Sequence, residues 1–193
     1  MAATTLTLRD AFVGRSSAAR TLAVIIGGAG LIAACAQISI PLGFTPVPIT
    51  GQTFAVLLVG AGLGSVAGTA STLLYVALGA VGLPIYADHG HGWHIVTSAS
   101  GGYLIGFIAA AALTGALAER RWDRRFSSSL GAMLTGSVVI YAFGVAWLAH
   151  KLHTGTNTAL QDGLYPFIPG DLLKLYLAAA ILPTAWKITG RRG

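Results

Sequence analysis

Four apolar runs mark the chain: residues 21–40, 101–118, 130–150 and 172–186, the last extended backwards by Gly170 and Asp171. Each reaches or approaches the roughly 20 residues that a helix needs to cross a bilayer. A fifth run, 49–81, is too long for one ordinary span and short for two. Its local break is Gly60-Ala61-Gly62-Leu63-Gly64, where glycine permits a tight reversal. The basic residues decide how that run is divided. Arg9, Arg15 and Arg20 precede the first run, Arg120, Arg121, Arg124 and Arg125 share one short polar segment, and Lys187, Arg191 and Arg192 close the chain. Clusters flanking apolar spans mark the cytoplasmic side. With all three clusters there, an even number of crossings separates Arg20 from Arg120, so residues 49–81 cross twice, as two short helices of about 15 residues each. The pattern predicts an all-α integral membrane bundle of six transmembrane helices with both termini cytoplasmic. Residues 1–20 form a basic segment, 21–188 the transmembrane domain and 189–193 a tail.

Composition agrees with this pattern. Only 9% of the 193 residues are charged and 54% are hydrophobic, whereas soluble domains carry about 25% charged residues. The 26 glycines suit close helix packing in lipid. The formal charge of +6 flanks the spans and is not interleaved with exposed aromatics, which excludes a nucleic-acid partner. Cys35 is the single cysteine, so no internal disulfide forms. It ends an apolar stretch, as a lipoprotein cleavage site does, but the preceding basic region is long and the rest of the chain is itself membrane-embedded. It reads instead as a small apolar residue in a packed helix.

The outer segments, 41–48, 82–100 and 151–169, hold most of the polar chemistry. Asp171 and Lys174 are spaced i, i+3 and share a helix face just after Pro169-Gly170. One reading is a capping acid with a lysine reaching the interface. Against it, Lys174 has no polar neighbours between 172 and 180 except Asp171 and Tyr176, and ionisable groups in spans face a cavity or a partner. Such a pair sets an acceptor beside three donors, which suits a ligand with N–H groups and a carbonyl. The stretch GFTPVPITGQTFAVLL, residues 43–58, stiffens a loop with prolines and then places Thr50, Gln52 and Thr53 at the outer end of a short helix. Thr50 also reads as a helix cap, while the Gln52 amide needs partners near lipid. In TSASGGYLIGF, Gly101 and Gly102 permit close approach of a ligand or of another helix, and Tyr103 adds an aromatic face with a hydroxyl. Asp88, His89, His91 and His94 form a flexible loop with Gly90 and Gly92. They are read as solvated, so no metal is expected. Ala29 and Ala33, like Gly30 and Ala34, give the first span a small-residue face.

Taken together, GFTPVPITGQTFAVLLVGAGLG, LYVALGAVGLPIYA, SGGYLIGF and PFIPGDLLK occur in this order over residues 20–188. They resemble the BioY family, the biotin-binding S-components of energy-coupling-factor (ECF) vitamin transporters. The resemblance implies six helices in a bacterial cytoplasmic membrane, and biotin captured from outside as the transported ligand, with no cofactor. It also implies a transmembrane coupling protein and two ATP-hydrolysing subunits as partners, docked through Ala29 and Ala33. It gives the site its content: Asp171 accepts from a ureido N–H and Lys174 donates to the ureido carbonyl or steadies Asp171. Thr50 and Gln52 complete the polar lining, Gly101 and Gly102 admit the ligand, and Tyr86 and Tyr103 pack on the bicyclic rings. Two departures stand out. Ser98-Ala99-Ser100 replaces the usual Gly-Pro-Thr, and ADHGHGWH lacks the arginine of some members. The partner of the carboxylate stays open between His89, His91 and water.

No Gly-x-x-x-x-Gly-Lys-Ser/Thr run is present, so the chain holds no nucleotide by that route. A proton-coupled or facilitative carrier acting alone is the alternative, but relays of that kind use acids on several spans, and here only Asp171 sits at one. An intramembrane enzyme would need a nucleophile–base pair or metal ligands at matched depth, and the sequence offers none.

Overall fold

The structure, a computed structural model, describes residues 7–13 and 17–189. Arg15, Arg191 and Arg192 of the basic clusters lie outside these residues. A short α1 (Leu8–Val13) leads to α2 (Ala18–Ala36), which Ser17 caps by accepting the Arg20 N–H at 3.4 Å. Prolines 41, 46 and 48 halt helix formation. The chain departs there from the expected all-helical plan: β1 (Ser39–Ile40) pairs antiparallel with β2 (Ile49–Thr50), Ser39 opposite Thr50. Then follow α3 (Gln52–Ala80), a one-turn α4 (Trp93–Val96), α5 (Gly101–Glu119), α6 (Phe126–Leu152), α7 (Thr156–Gly163) and α8 (Ile168–Ile188). The short helices α4 and α7 occupy outer segments read as loops.

Among the described residues, five stretches are long and apolar enough to cross a membrane: Ala18–Ala36, Gln52–Ala80, Gly101–Glu119, Phe126–Leu152 and Thr156–Ile188. Their outward surfaces are apolar. On α8, Leu172, Leu173, Tyr176 and Leu177 are exposed while Asp171 is buried, the reverse of a soluble amphipathic helix. This is a multi-pass membrane protein.

The α3 element is not one rod. Gly64 has φ 84° and ψ 172°, a backbone state that glycine adopts without penalty. A Cβ built on Gly68 would lie 2.7 Å from the Cα of Gly60. Those residues would be about 12 Å apart along a straight helix, so the chain reverses at Gly64 into two antiparallel arms, residues 52–63 and 65–80. Glu119 of α5 fastens the reversal: its Oε1 accepts from the Ser65 N–H and hydroxyl, both at 2.7 Å. The reversal therefore falls at Gly64, the last residue of the expected 60–64 turn, while residues 60–63 stay helical in the first arm. α3 is the centre of the bundle, packing on α5 and α2, while α6 packs on α5 and α8.

One expectation for α2 changes. Gly28, Ala29, Ile32 and Ala36 face inward, where a Cβ on Gly28 would press on Ser71 and Leu63 of α3. Ala29 is 5% exposed and belongs to the core; Ala33 is half-buried. The outward small residues are Ala23, Gly27, Gly30 and Ala34, and a Cβ on Gly27 or Gly30 would meet nothing. The spacing of small residues permits either face, and the packing of α2 on α3 selects between them.

The end of the bundle that holds the α5–α6 turn is closed by a polar cluster. Asp123, 1% exposed, accepts from Trp186 Nε1 of α8 at 2.5 Å. Arg124 stacks its guanidinium 3.3 Å from the Trp186 ring centroid and lies 3.6 Å from Asp123. Burial pushes the Asp123 carboxyl above its usual range, and the Trp186 N–H and Arg124 offset only part of that rise.

Replacing Gly68 by Leu tests the reversal. Its side chain would meet the backbone of Gly60 and Val59, which cannot yield as a side chain does. The expected loss is about 1–3 kcal/mol, read as a lower midpoint of thermal unfolding in detergent. An unchanged midpoint would contradict the packed hairpin.

Candidate functional site

The polar residues at one end of the bundle converge on a cavity of about 230 Å³. Pockets for drug-sized ligands measure about 300–1,000 Å³, so this one suits a small molecule. Four elements build it: β2 with the first arm of α3, the segment from Tyr86 to the start of α5, the middle of α6, and the first turns of α8.

Asp171 lies in the first turn of α8, behind Pro169. It is 6% exposed, so it is not an interfacial cap. Its Oδ1 accepts from Lys174 Nζ at 2.8 Å. The Thr53 hydroxyl lies 3.4 Å from the same oxygen and 3.5 Å from Lys174 Nζ. Oδ2 accepts from the Tyr141 hydroxyl at 2.5 Å. Lys174 turns into the bundle rather than toward a headgroup, and three N–H donors leave it capacity for a ligand acceptor.

The opposite wall is uncharged. Thr50 accepts the Gln52 N–H at 3.3 Å and donates its hydroxyl to Gln52 Oε1 at 2.9 Å. The Gln52 amide then donates from Nε2 to the Tyr75 hydroxyl at 2.5 Å. The N-cap position of the arm is Gly51, and Thr50, just before it, lines the cavity. Tyr86 covers one side of the cavity. Its ring meets Tyr75 edge to face, centroids 5.5 Å apart, and its hydroxyl donates to Val76 O. Gly79 leaves room for that ring, since a Cβ there would overlap it. Burial raises the Tyr86 hydroxyl to about 12. Tyr103 commits its hydroxyl to Gly163 O at 2.7 Å and so presents its ring, not its oxygen.

Six of the expected residues, Asp171, Lys174, Thr50, Gln52, Tyr86 and Tyr103, therefore meet at one cavity. Gly101 and Gly102 do not line it. A Cβ on Gly102 would overlap Trp147 of α6, and one on Gly101 would overlap Val96 O. Their work is helix packing, which corrects the expectation that they admit a ligand. His89, His91 and His94 are exposed and also outside the cavity. Among the described residues, no three His, Cys, Asp or Glu side chains are placed to hold a metal ion. Ser98 and Ser100 do line it, where the sequence departs from the family pattern.

Three residues were not singled out from the sequence. Phe167 supplies an aromatic wall. Tyr141 is a polar group in the middle of an apolar run, and that isolation was the available signal. Gln37 closes the first apolar run: its Nε2 lies 3.1–3.3 Å from the carbonyls of Ala33, Ile85 and Tyr86, and its Oε1 accepts the His89 N–H at 3.2 Å. It thereby pins the segment carrying Tyr86 to α2. Thr45 and Trp147 fasten the other outer segments, donating to Asp162 O at 2.7 Å and Ser98 O at 2.8 Å. A second concavity of about 730 Å³ lies between α6, α7 and α8. Although larger, its wall is mostly aliphatic and lies along two spans, so it faces lipid; it shares Tyr141 and Asp171 with the smaller cavity, while Thr50, Gln52, Thr53 and Lys174 line the smaller one alone.

A sequence model of the BioY family matches residues 5–191. "Biotin transporter BioY" of Thermotoga maritima is 42% identical over 151 residues, 78% of this chain and 86% of its own length. "Biotin transporter BioY" of Rhizobium etli is 39% identical, over 74% of this chain and 79% of its own length. Among solved structures, the S-component for biotin from an ECF-type ABC transporter superposes with a TM-score of 0.80 at 27% identity, covering 90% of this chain and 95% of that one.

Gln37→Leu removes the clasp while keeping an apolar stem. The amides of residues 85–90 are expected to exchange hydrogen about tenfold faster, with α5 unchanged, since each such bond stabilises by roughly 1 kcal/mol. Equal exchange in both proteins, measured by mass spectrometry, would show the segment is held otherwise.

Proposed function

The chain belongs to the BioY family, and from that premise we propose that it is the biotin-capturing S-component of an ECF-type transporter. It is a transporter component and not an enzyme. The observation that carries the ligand is the pairing of buried Asp171 with half-buried Lys174 at an aromatic-walled cavity. The ureido ring of biotin presents an N–H beside a carbonyl, donor and acceptor about 2.3 Å apart by standard bond lengths. Asp171 Oδ1 and Lys174 Nζ, 2.8 Å apart, offer an acceptor beside a donor at matching separation. Asp171 accepts the ureido N–H, Lys174 donates to the ureido oxygen, and Thr50 with Gln52 lines the facing wall. Tyr86 and Tyr103 pack on the fused rings. The carboxylated tail runs toward the outer rim, where Ser98, Ser100 and water meet it. A site that leaves buried polar groups unpaired with the wrong ligand discriminates strongly.

The same reading sets the topology. The reversal at Gly64 turns Gln52–Ala80 into two crossings, giving six in total, with both termini and the Arg120–Arg125 cluster on the cytoplasmic side of a bacterial inner membrane. The arms of α3, about 18 and 24 Å long by helix rise, are shorter than the roughly 30 Å hydrocarbon core and rely on α2 and α5 around them. The biotin cavity then opens outward. Energy comes from a transmembrane coupling protein and two ATP-hydrolysing subunits. The coupling protein docks on the outward stripe of α2, Gly27, Gly30 and Ala34 with Ala33 at its margin, where backbones approach closely.

Biotin binding to the purified protein tests the site. Asp171→Asn is expected to raise the Kd at least tenfold, the cost of a charge-assisted hydrogen bond of roughly 1.5–3 kcal/mol, in a protein that still folds. An unchanged Kd would remove Asp171 from the site. Gly30→Phe addresses docking: it leaves biotin binding intact and reduces energised uptake in vesicles at least tenfold, as bulk does at a small-residue helix contact. Unimpaired uptake would rule out this face.

A further inference from the structure

Tyr141 is the one α6 side chain that reaches the cavity. Its hydroxyl donates to Asp171 Oδ2 at 2.5 Å, while Lys174 and Thr53 gather at Oδ1. Its ring stands edge-on to Tyr103, centroids 6.1 Å apart at 87°, and against Phe167 at 6.3 Å. Tyr141 and Asp171 also line the lipid-facing groove between α6 and α8, beside Val138 and Leu172, which are 67% and 58% exposed. These two residues are thus the partition between the cavity and the hydrocarbon outside. Asp171 is 6% exposed, and the Tyr141 hydroxyl is the donor placed on its Oδ2.

We infer that Tyr141 is a positioning and specificity-determining residue that acts through Asp171. By engaging Oδ2 it fixes the rotation of the carboxylate, so that Oδ1 is the oxygen presented to the ligand, already beside Lys174. The carboxylate then offers the ligand one acceptor edge rather than a two-oxygen fork. That edge selects a neutral ring with N–H next to C=O. It disfavours a cyclic guanidinium, which seeks both oxygens of a carboxylate and brings a positive charge to Lys174. Without the hydroxyl, Oδ2 is left without its donor and the carboxylate is free to turn toward a cation.

This inference rests on the biotin reading of the cavity. Its test compares the purified wild-type protein with Tyr141→Phe, which keeps the ring in the partition, using biotin and 2-iminobiotin, the analogue whose ureido oxygen is replaced by an imino nitrogen. The expected result is a biotin Kd raised about tenfold and a biotin-to-iminobiotin preference reduced about tenfold. In an Asp171→Asn background the same substitution should have little further effect, because the two act as one unit. Equal biotin affinity of Tyr141→Phe and wild type would overturn the inference. So would equal losses for both ligands with the preference intact, or effects that simply add to those of Asp171→Asn. A wild-type protein that binds no biotin would instead overturn the reading of the site itself.

Discussion

A carboxylate taken out of water inside a bilayer-embedded bundle must find partners, because its desolvation penalty is several kcal/mol. Asp171, 6% exposed, sets that constraint here. Lys174 supplies the counter-charge one turn along the same helix, Tyr141 reaches across from α6, and Thr53 from α3. Three helices are therefore drawn together by one side chain. The cavity exists where they meet, and its aromatic walls keep the local dielectric low, which strengthens each remaining contact with a polar ligand.

The second constraint is reach. A straight helix from Gln52 to Ala80 would be about 43 Å long and would carry its first turn beyond the bilayer's hydrocarbon. The reversal at Gly64 brings Gln52 and Thr53 to the level of Asp171 and brings the second arm back to supply Tyr75 and Gly79 beneath the cavity. Glu119 holds the reversal from α5. Small residues at the crossing, Gly60 and Gly68 of α3 and Gly115 of α5, let the arms lie close enough for dispersion contacts to act between helices where lipid offers no hydrophobic drive.

Much of this was legible in the chain. Apolar run length located the membrane helices within a few residues, and the parity of basic clusters with the glycine run at 60–64 anticipated the fold-back. Asp171 and Lys174 were conspicuous because charge is costly in a span. What stayed hidden depends on rotation and depth, which periodicity does not fix when a helix is apolar all round. Ala29 and Gly30 differ by one residue, yet one packs inward and the other faces out. Gly101 and Gly102 carry no side chain to announce whether a ligand or Trp147 will approach. Tyr141 looks like one more aromatic in an apolar run until α8 sets Asp171 opposite it. The pairing of β1 with β2 is too short to leave any alternation in the sequence.

The Asp123–Trp186–Arg124 cluster bears on how the cavity opens. It rivets the far end of α8 to the α5–α6 turn, while the near end of α8 is tied to α6 and α3 through Asp171. A helix anchored at both ends is a fixed post. The β1–β2 ribbon is joined to α7 through Thr45, and the Tyr86 segment to α2 through Gln37 and to the second arm of α3 through the Tyr86 hydroxyl. The wall that carries Asp171 and Lys174 is thus riveted at both rims, so a solute entering the cavity meets its polar partners already in place.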